Sequence, residues 1–321
     1  MRKVQIVALV LAVVASFIPG VWAQESFRIG IAQITEHPAL DAARAGFIDG
    51  MEELGYVAGE NVQYDLYSAQ GDMSIAQTIA QKLVIDDVDL ILAIATPMAQ
   101  TVANATDSIP ILFTAVTDPV VAGLVDSIEE PGGNVTGTSD LTPVAEQLDL
   151  LAKLVPKAKR LGIVYNPGEA NSVVQVDIAK AKAKELGLTV VEATANNSGA
   201  VFQAAQSLIG RVDAIYVPTD NTVASAMESL AVVAKHSKIP VVAGENDMAR
   251  RGGLATLSID YYELGLQTAK MAAKILQGQP PHSLPVEYTE SESLLINLEM
   301  AREIGFTFPQ EIMDAADEII E

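Results

Sequence analysis

From Ser26 onward the apolar positions switch repeatedly between two periods. Phe27 to Ile34 is a short β-type run, and Pro38 to Leu54 carries apolar residues at helical spacing until Gly55 stops it. Val62 to Tyr67 alternates as a strand, and Met73 to Ile85 reads as a second helix. Leu90 to Ala95 is unbroken apolar, as expected of a strand buried on both faces. The second half repeats the scheme. Strands are expected at Leu161–Tyr165, Thr189–Ala193, Ala214–Val217 and Pro240–Ala243, with helices at Val173–Leu186, Ala200–Ile209 and Thr222–His236. Such alternation gives parallel sheets with helices on both sides, an α/β fold.

Three short matches indicate an internal duplication. Gly30 is followed by Glu53-Leu54-Gly55, and Gly162 by Glu185-Leu186-Gly187 at the same offset. Val88-Asp89-Leu90-Ile91 leads to Thr96-Pro97, as Val212-Asp213-Ala214-Ile215 leads to Asp220-Asn221. Ile-Pro then recurs at 109–110 and 239–240. Two Rossmann-like lobes follow, expected at 24–139 with 260–285 and at 140–259 with 286–321. The turn-forming stretch from Pro131 to Thr138 reads as the first crossing between them. Leu254 to Ile259 and Val286 to Tyr288, flanking a helix at Tyr262–Leu276, supply two more.

The N-terminus stands apart. Arg2 and Lys3 precede an apolar run from Val4 to Ile18, broken by Pro19-Gly20 and followed by Val21-Trp22-Ala23. This reads as an export signal cut after Ala23, since the run falls short of the about 20 residues that span a bilayer. No Cys follows for a lipid anchor. A soluble periplasmic protein is expected, and with Trp22 removed it would contain no tryptophan. The formal charge of −21 disfavours nucleic acid and anionic membrane surfaces as partners.

Catalytic motifs are missing. The sequence has no Cys, no Gly-x-Ser-x-Gly elbow, no phosphate loop and no His pair at metal-ligand spacing, so neither enzyme, cofactor nor metal is indicated. Ligands of open parallel sheets lie beyond the carboxyl ends of the strands. That rule nominates His37, Thr96, Pro97, Thr117 and Asp118 in the first lobe, and Asn171, Asp220, Asn221 and Glu245 in the second. Thr96 is expected to cap a helix that starts at Pro97 and offers backbone N–H groups to a carboxylate. Asp220 occupies the equivalent place with a negative charge, so Asp220 or Glu245 would hold an ammonium, unless Asp220 only caps its helix. The pair suits a zwitterion, whose apolar part would lie among Tyr165 and Phe113.

The segments Glu36-His37-Pro38-Ala39-Leu40-Asp41, Thr96-Pro97-Met98-Ala99-Gln100, Val116-Thr117-Asp118-Pro119, Asn134-Val135-Thr136-Gly137, Tyr165-Asn166-Pro167 and Pro218-Thr219-Asp220-Asn221 resemble, in order, ABC-transporter substrate-binding proteins of the tryptophan/tyrosine type. The resemblance spans essentially the whole chain after the signal. It implies a type I periplasmic-binding-protein fold with three crossings; Thr138, which ends the turn-forming stretch, is also counted among the candidate ligand contacts. It also implies an aromatic amino acid as ligand, and an inner-membrane ABC permease served by a monomeric receptor. Family members often have Gly before the Thr-Pro pair, where this chain has Ala95. A sensory module and a sugar or nucleoside receptor on the same fold are the alternatives.

Overall fold

A computed structural model describes residues 26–289 and 292–321. The export signal read at 1–23 lies outside the described residues. The first sheet is built from β1 (Phe27–Gln33), α1 (Pro38–Glu53), β2 (Val62–Ser68), α2 (Met73–Ile85), β3 (Leu90–Ile94), α3 (Thr96–Ala103), β4 (Ile111–Thr114) and β5 (Val135–Ser139). The second follows with α4 (Val144–Leu154), β6 (Arg160–Tyr165), α5 (Ala170–Glu185), β7 (Thr189–Thr194), α6 (Val201–Gln206), β8 (Ala214–Val217), α7 (Asn221–Ala224), α8 (Met227–Ser237), β9 (Val241–Ala243), α9 (Asn246–Arg250) and β10 (Ala255–Ile259). The chain then returns through α10 (Tyr261–Leu276) to β11 (Glu287–Tyr288). It closes with β12 (Glu292–Asn297), α11 (Leu298–Ile304), α12 (Gln310–Ala315) and β13 (Glu318–Ile320).

The sheet orders are β11-β5-β4-β3-β1-β2 and β13-β12-β10-β9-β8-β6-β7. All pairs are parallel except β10 with β12. The central strands β3 and β8 are buried at every residue, which is why they read as unbroken apolar runs. The edge strands β2 and β7 are largely half-buried or exposed.

The duplication extends to side chains. Asp89 accepts the Arg28 backbone N–H at 2.7 Å, and Asp213 accepts that of Arg160 at 2.9 Å. In each lobe, therefore, an aspartate just before the third strand fixes the start of the first. The order β2-β1-β3-β4 likewise recurs as β7-β6-β8-β9. Each lobe has its own apolar core.

Among the boundaries that differ from expectation, two change the architecture. Strand β11 pairs with Thr138 and Ser139 of the first sheet, so the third crossing falls after Tyr288 rather than at 286. The helix expected at Thr222–His236 is two helices, broken at Ser225 and Ala226. Arg251 donates to the Ala224 carbonyl at 2.7 Å, and Ser225 Oγ to that of Thr222 at 2.9 Å, which ends α7 after one turn.

Candidate functional site

The carboxyl ends of the two sheets face each other across a chamber. Its first-lobe wall carries His37, Leu40 and Thr117, and its second-lobe wall Asn171, Asp220 and Glu245. Asp140 and Tyr261 sit at the crossings: Tyr261 donates to Asp140 Oδ2 at 2.8 Å and Thr117 to Oδ1 at 2.9 Å. The chamber has a volume of about 290 Å³, part of it open to solvent. A larger cavity, of about 1010 Å³ with the solvent at its mouth, opens on the far side of Asn221 between Pro97 of one lobe and Asn166 of the other.

Carboxylates dominate the second-lobe wall. Asp220 caps α7 through the Val223 N–H at 2.8 Å and also accepts from Asn166 N and Ser172 Oγ. Burial raises its pKa, and the nearby Glu169 carboxylate adds to the rise. Glu245 caps α9 through the N–H groups of Asp247 and Met248, and burial pushes it up to about 8. Burial likewise raises Asp140.

The opposite wall offers His37, whose pKa is lowered by burial. Its Nε2 lies 3.3 Å from Asn221 Oδ1, so a hydrogen bond joins the lobes. Among the described residues, His37 Nδ1 and Asn171 Oδ1 are buried without a partner. Buried polar atoms are rarely left so, and both belong to residues lining this chamber.

His37, Thr117, Asn171, Asp220, Asn221 and Glu245 therefore come together as the strand-end rule placed them. Five other candidates, and Phe113, do not line the chamber. Thr96 does not cap α3: the cap position is Ala95, whose φ of 78° and ψ of 153° start the helix one residue earlier than expected. Thr96 is then the first helical residue and its Oγ1 has no partner, while Pro97 faces the outer cavity. Asp118 caps its own turn through the N–H groups of Val120 and Val121. Thr138 is held in the first core by Thr114 and Thr268. Tyr165 points into the second core with its hydroxyl 2.6 Å from Glu192, and Phe113 is fully buried in the first. Asp140, Tyr261 and Glu169 were not singled out, because their partners lie far along the chain and no local pattern marks them.

Comparison with known proteins agrees with this fold. Residues 28–320 match the model of the family described as ABC transporter substrate binding protein. The tyrosine-binding protein of Clostridioides difficile (strain R20291) is 46% identical over 269 residues, covering 84% of this chain and 78% of that protein. A Streptococcus ABC domain solved in complex with L-Trp superposes with a TM-score of 0.89 at 37% identity, over 92% of this chain and 100% of that one. The ligand-free, open structure of a Clostridium difficile substrate-binding protein reaches only 0.69 despite 44% identity, over 92% and 99%. A higher identity with a poorer superposition is what a different setting of the lobes gives, and here the His37–Asn221 bond joins them. The chain is a two-lobed α/β protein with a cleft between its lobes, and it belongs to the family of ABC transporter substrate-binding proteins, which bind solutes rather than transform them.

Proposed function

We propose that the chain is the receptor of an ABC importer for an aromatic amino acid, working as a monomer in the periplasm and delivering its ligand to an inner-membrane permease. The observation that carries this reading is the acceptor-rich chamber. Asp140, Asp220 and Glu245 line it together with the unpartnered His37 Nδ1 and Asn171 Oδ1. Three carboxyl groups together with two acceptors that lack donors suit a ligand ammonium, held by charge-assisted hydrogen bonds. The ligand carboxylate takes the start of α1, a 16-residue helix with no side-chain cap, whose His37 and Leu40 face the chamber. Leu40, Ala224, Met248 and Tyr261 supply the apolar wall for the ring. Entry requires the lobes to part, as type I receptors do by hinge motion.

The relatives support the aromatic part of the reading: one is named for tyrosine and one was solved with L-Trp. Calorimetry with the common amino acids tests it. Heat is expected with L-tyrosine or L-tryptophan, and Asp220→Asn, which keeps a capping side chain, weakens it about tenfold or more. Silence from every aromatic amino acid would overturn the ligand assignment.

A further inference from the structure

Glu169 stands behind the chamber wall, and its carboxylate is engaged on both sides. Oε2 accepts from Asn221 N at 3.1 Å and Asn221 Nδ2 at 2.6 Å. Oε1 accepts from Thr222 N at 3.0 Å and Thr222 Oγ1 at 2.7 Å. A carboxylate with this many donors around it can only accept, so the Asn221 amide must turn its NH₂ toward Glu169. Its oxygen is then left facing His37 across the cleft. An amide oxygen cannot donate, so the proton of the neutral imidazole must sit on Nε2. Nδ1, buried in the opposite wall, becomes a bare acceptor. Asn171 is turned the same way, its Nδ2 donating to the Thr219 carbonyl at 2.9 Å and lying 3.4 Å from Glu169.

The geometry points to Glu169 as a positioning residue for ligand specificity: through Asn221 it fixes the tautomer of His37 on the other lobe, so that the closed chamber presents acceptors and selects ligands carrying an ammonium. This deepens the amino-acid reading above and rests on it. The relay exists only when the lobes meet, so closure itself sets the polarity of the first-lobe wall. Selectivity arises because a ligand without a donor leaves these buried acceptors unpaired.

The test compares L-tyrosine with 3-(4-hydroxyphenyl)propionate, and L-tryptophan with indole-3-propionate, each pair differing by the ammonium. Calorimetry is run on the wild type, Glu169→Gln, His37→Phe and the double variant. Nitrogen NMR reads the tautomer of His37, with the exposed His236 and His282 as internal controls. Glu169→Gln is expected to cut the preference for the ammonium-bearing partner about tenfold or more. It also shifts the His37 proton away from pure Nε2 occupancy, and it is non-additive with His37→Phe. Equal losses for both members of each pair with an unchanged tautomer would show that Glu169 merely holds the fold. Should Glu169→Gln fail to fold, Asn221→Ala must produce the same tautomer shift, and an unaltered His37 there sinks the relay. A wild type that binds neither amino acid strikes down the proposed ligand, while the His37 tautomer in wild type and variants still decides the role of Glu169.

Discussion

His37 and Asn221 are 184 residues apart and hang from different lobes, yet Nε2 of one lies 3.3 Å from Oδ1 of the other. The bond forms only in the closed arrangement and contributes to closure without adding to the stability of either lobe. Asn221→Ala removes this bond and also the Nδ2–H that Asn221 donates to Glu169 at 2.6 Å within its own lobe, so it should weaken ligand binding about threefold to tenfold and lower the melting temperature of the ligand-free protein as well. Calorimetry and thermal denaturation check the two halves separately. An unchanged melting temperature would mean that Glu169 does not hold the Asn221 amide in the ligand-free protein.

The buried carboxylates make binding depend on pH in a definite direction. Glu245, pushed up to about 8 by burial, holds a proton at neutral pH in the closed chamber, and Asp220 is raised as well. An ammonium pairs only with the ionised forms, so each carboxylate that it engages must release a proton. Affinity is expected to rise from pH 6 to pH 8, by at most about tenfold per pH unit for each proton released. Calorimetry in buffers of different ionisation enthalpy counts those protons, and a pH-independent affinity with no release would refute the pairing.

Stability of the ligand-free protein runs the other way. For carboxyls whose folded pKa lies above the unfolded value, the favourable contribution is complete below the unfolded pKa and is lost as pH rises through the folded one, about 8 for Glu245. The melting temperature should fall between pH 5 and pH 9, and saturating ligand should recover much of that loss at the alkaline end. A melting temperature that climbs with pH across this window would contradict the burial of these groups.

What could be read from the chain follows from how local each feature is. Helix α2 was read at Met73–Ile85, and β8 at Ala214–Val217, because apolar spacing and turn residues mark both ends within a few positions. The strand-end rule reached His37, Asp220 and Glu245 because it needs only topology. The expectation that Tyr165 would line the apolar part of the ligand does not hold, because at this last residue of β6 alternation sends the ring into the core and toward Glu192. Which face of a sheet is the core cannot be known until both lobes are assembled. Glu169 and Asp140 escaped notice for a related reason: Glu169 meets groups 52 and 53 residues away, and Asp140 meets a tyrosine 121 residues away.

Helices α1 and α10 touch backbone to backbone. A methyl group on Gly46 would run into the Tyr262 carbonyl, and one on Gly265 into that of Ala43. Neither neighbour is a flexible side-chain end, so the helices must move apart to admit it. Gly46→Ala and Gly265→Ala should each cost about 1–3 kcal/mol, the usual range for overpacking. Chemical denaturation measures this directly. Because α10 begins at Tyr261, which holds Asp140 at the crossing, these variants should also loosen ligand binding. A neutral outcome for either substitution would show that the helices pack less closely.

Ala95 is the residue most at odds with its backbone. Its φ of 78° with ψ of 153° lies in a region that is essentially reserved for glycine. The position is held by the Ala95 N–H on the Thr114 carbonyl at 3.0 Å and the Ala99 N–H on the Ala95 carbonyl at 3.0 Å, so the chain bears the strain to start α3 here. Such a conformation costs about 1–3 kcal/mol for a residue with a Cβ. Glycine relieves it but loses about 0.5–1 kcal/mol through its freer unfolded chain. Ala95→Gly should therefore stabilise the protein by about 1 kcal/mol, seen as a higher denaturation midpoint with an unchanged slope. The same turn that strains Ala95 moves Thr96 off the cap position, so the gain should come without the hydroxyl of Thr96 finding a partner. A less stable variant would mean that the methyl group of Ala95, buried at 1% exposure, contributes more by packing than its backbone loses by strain.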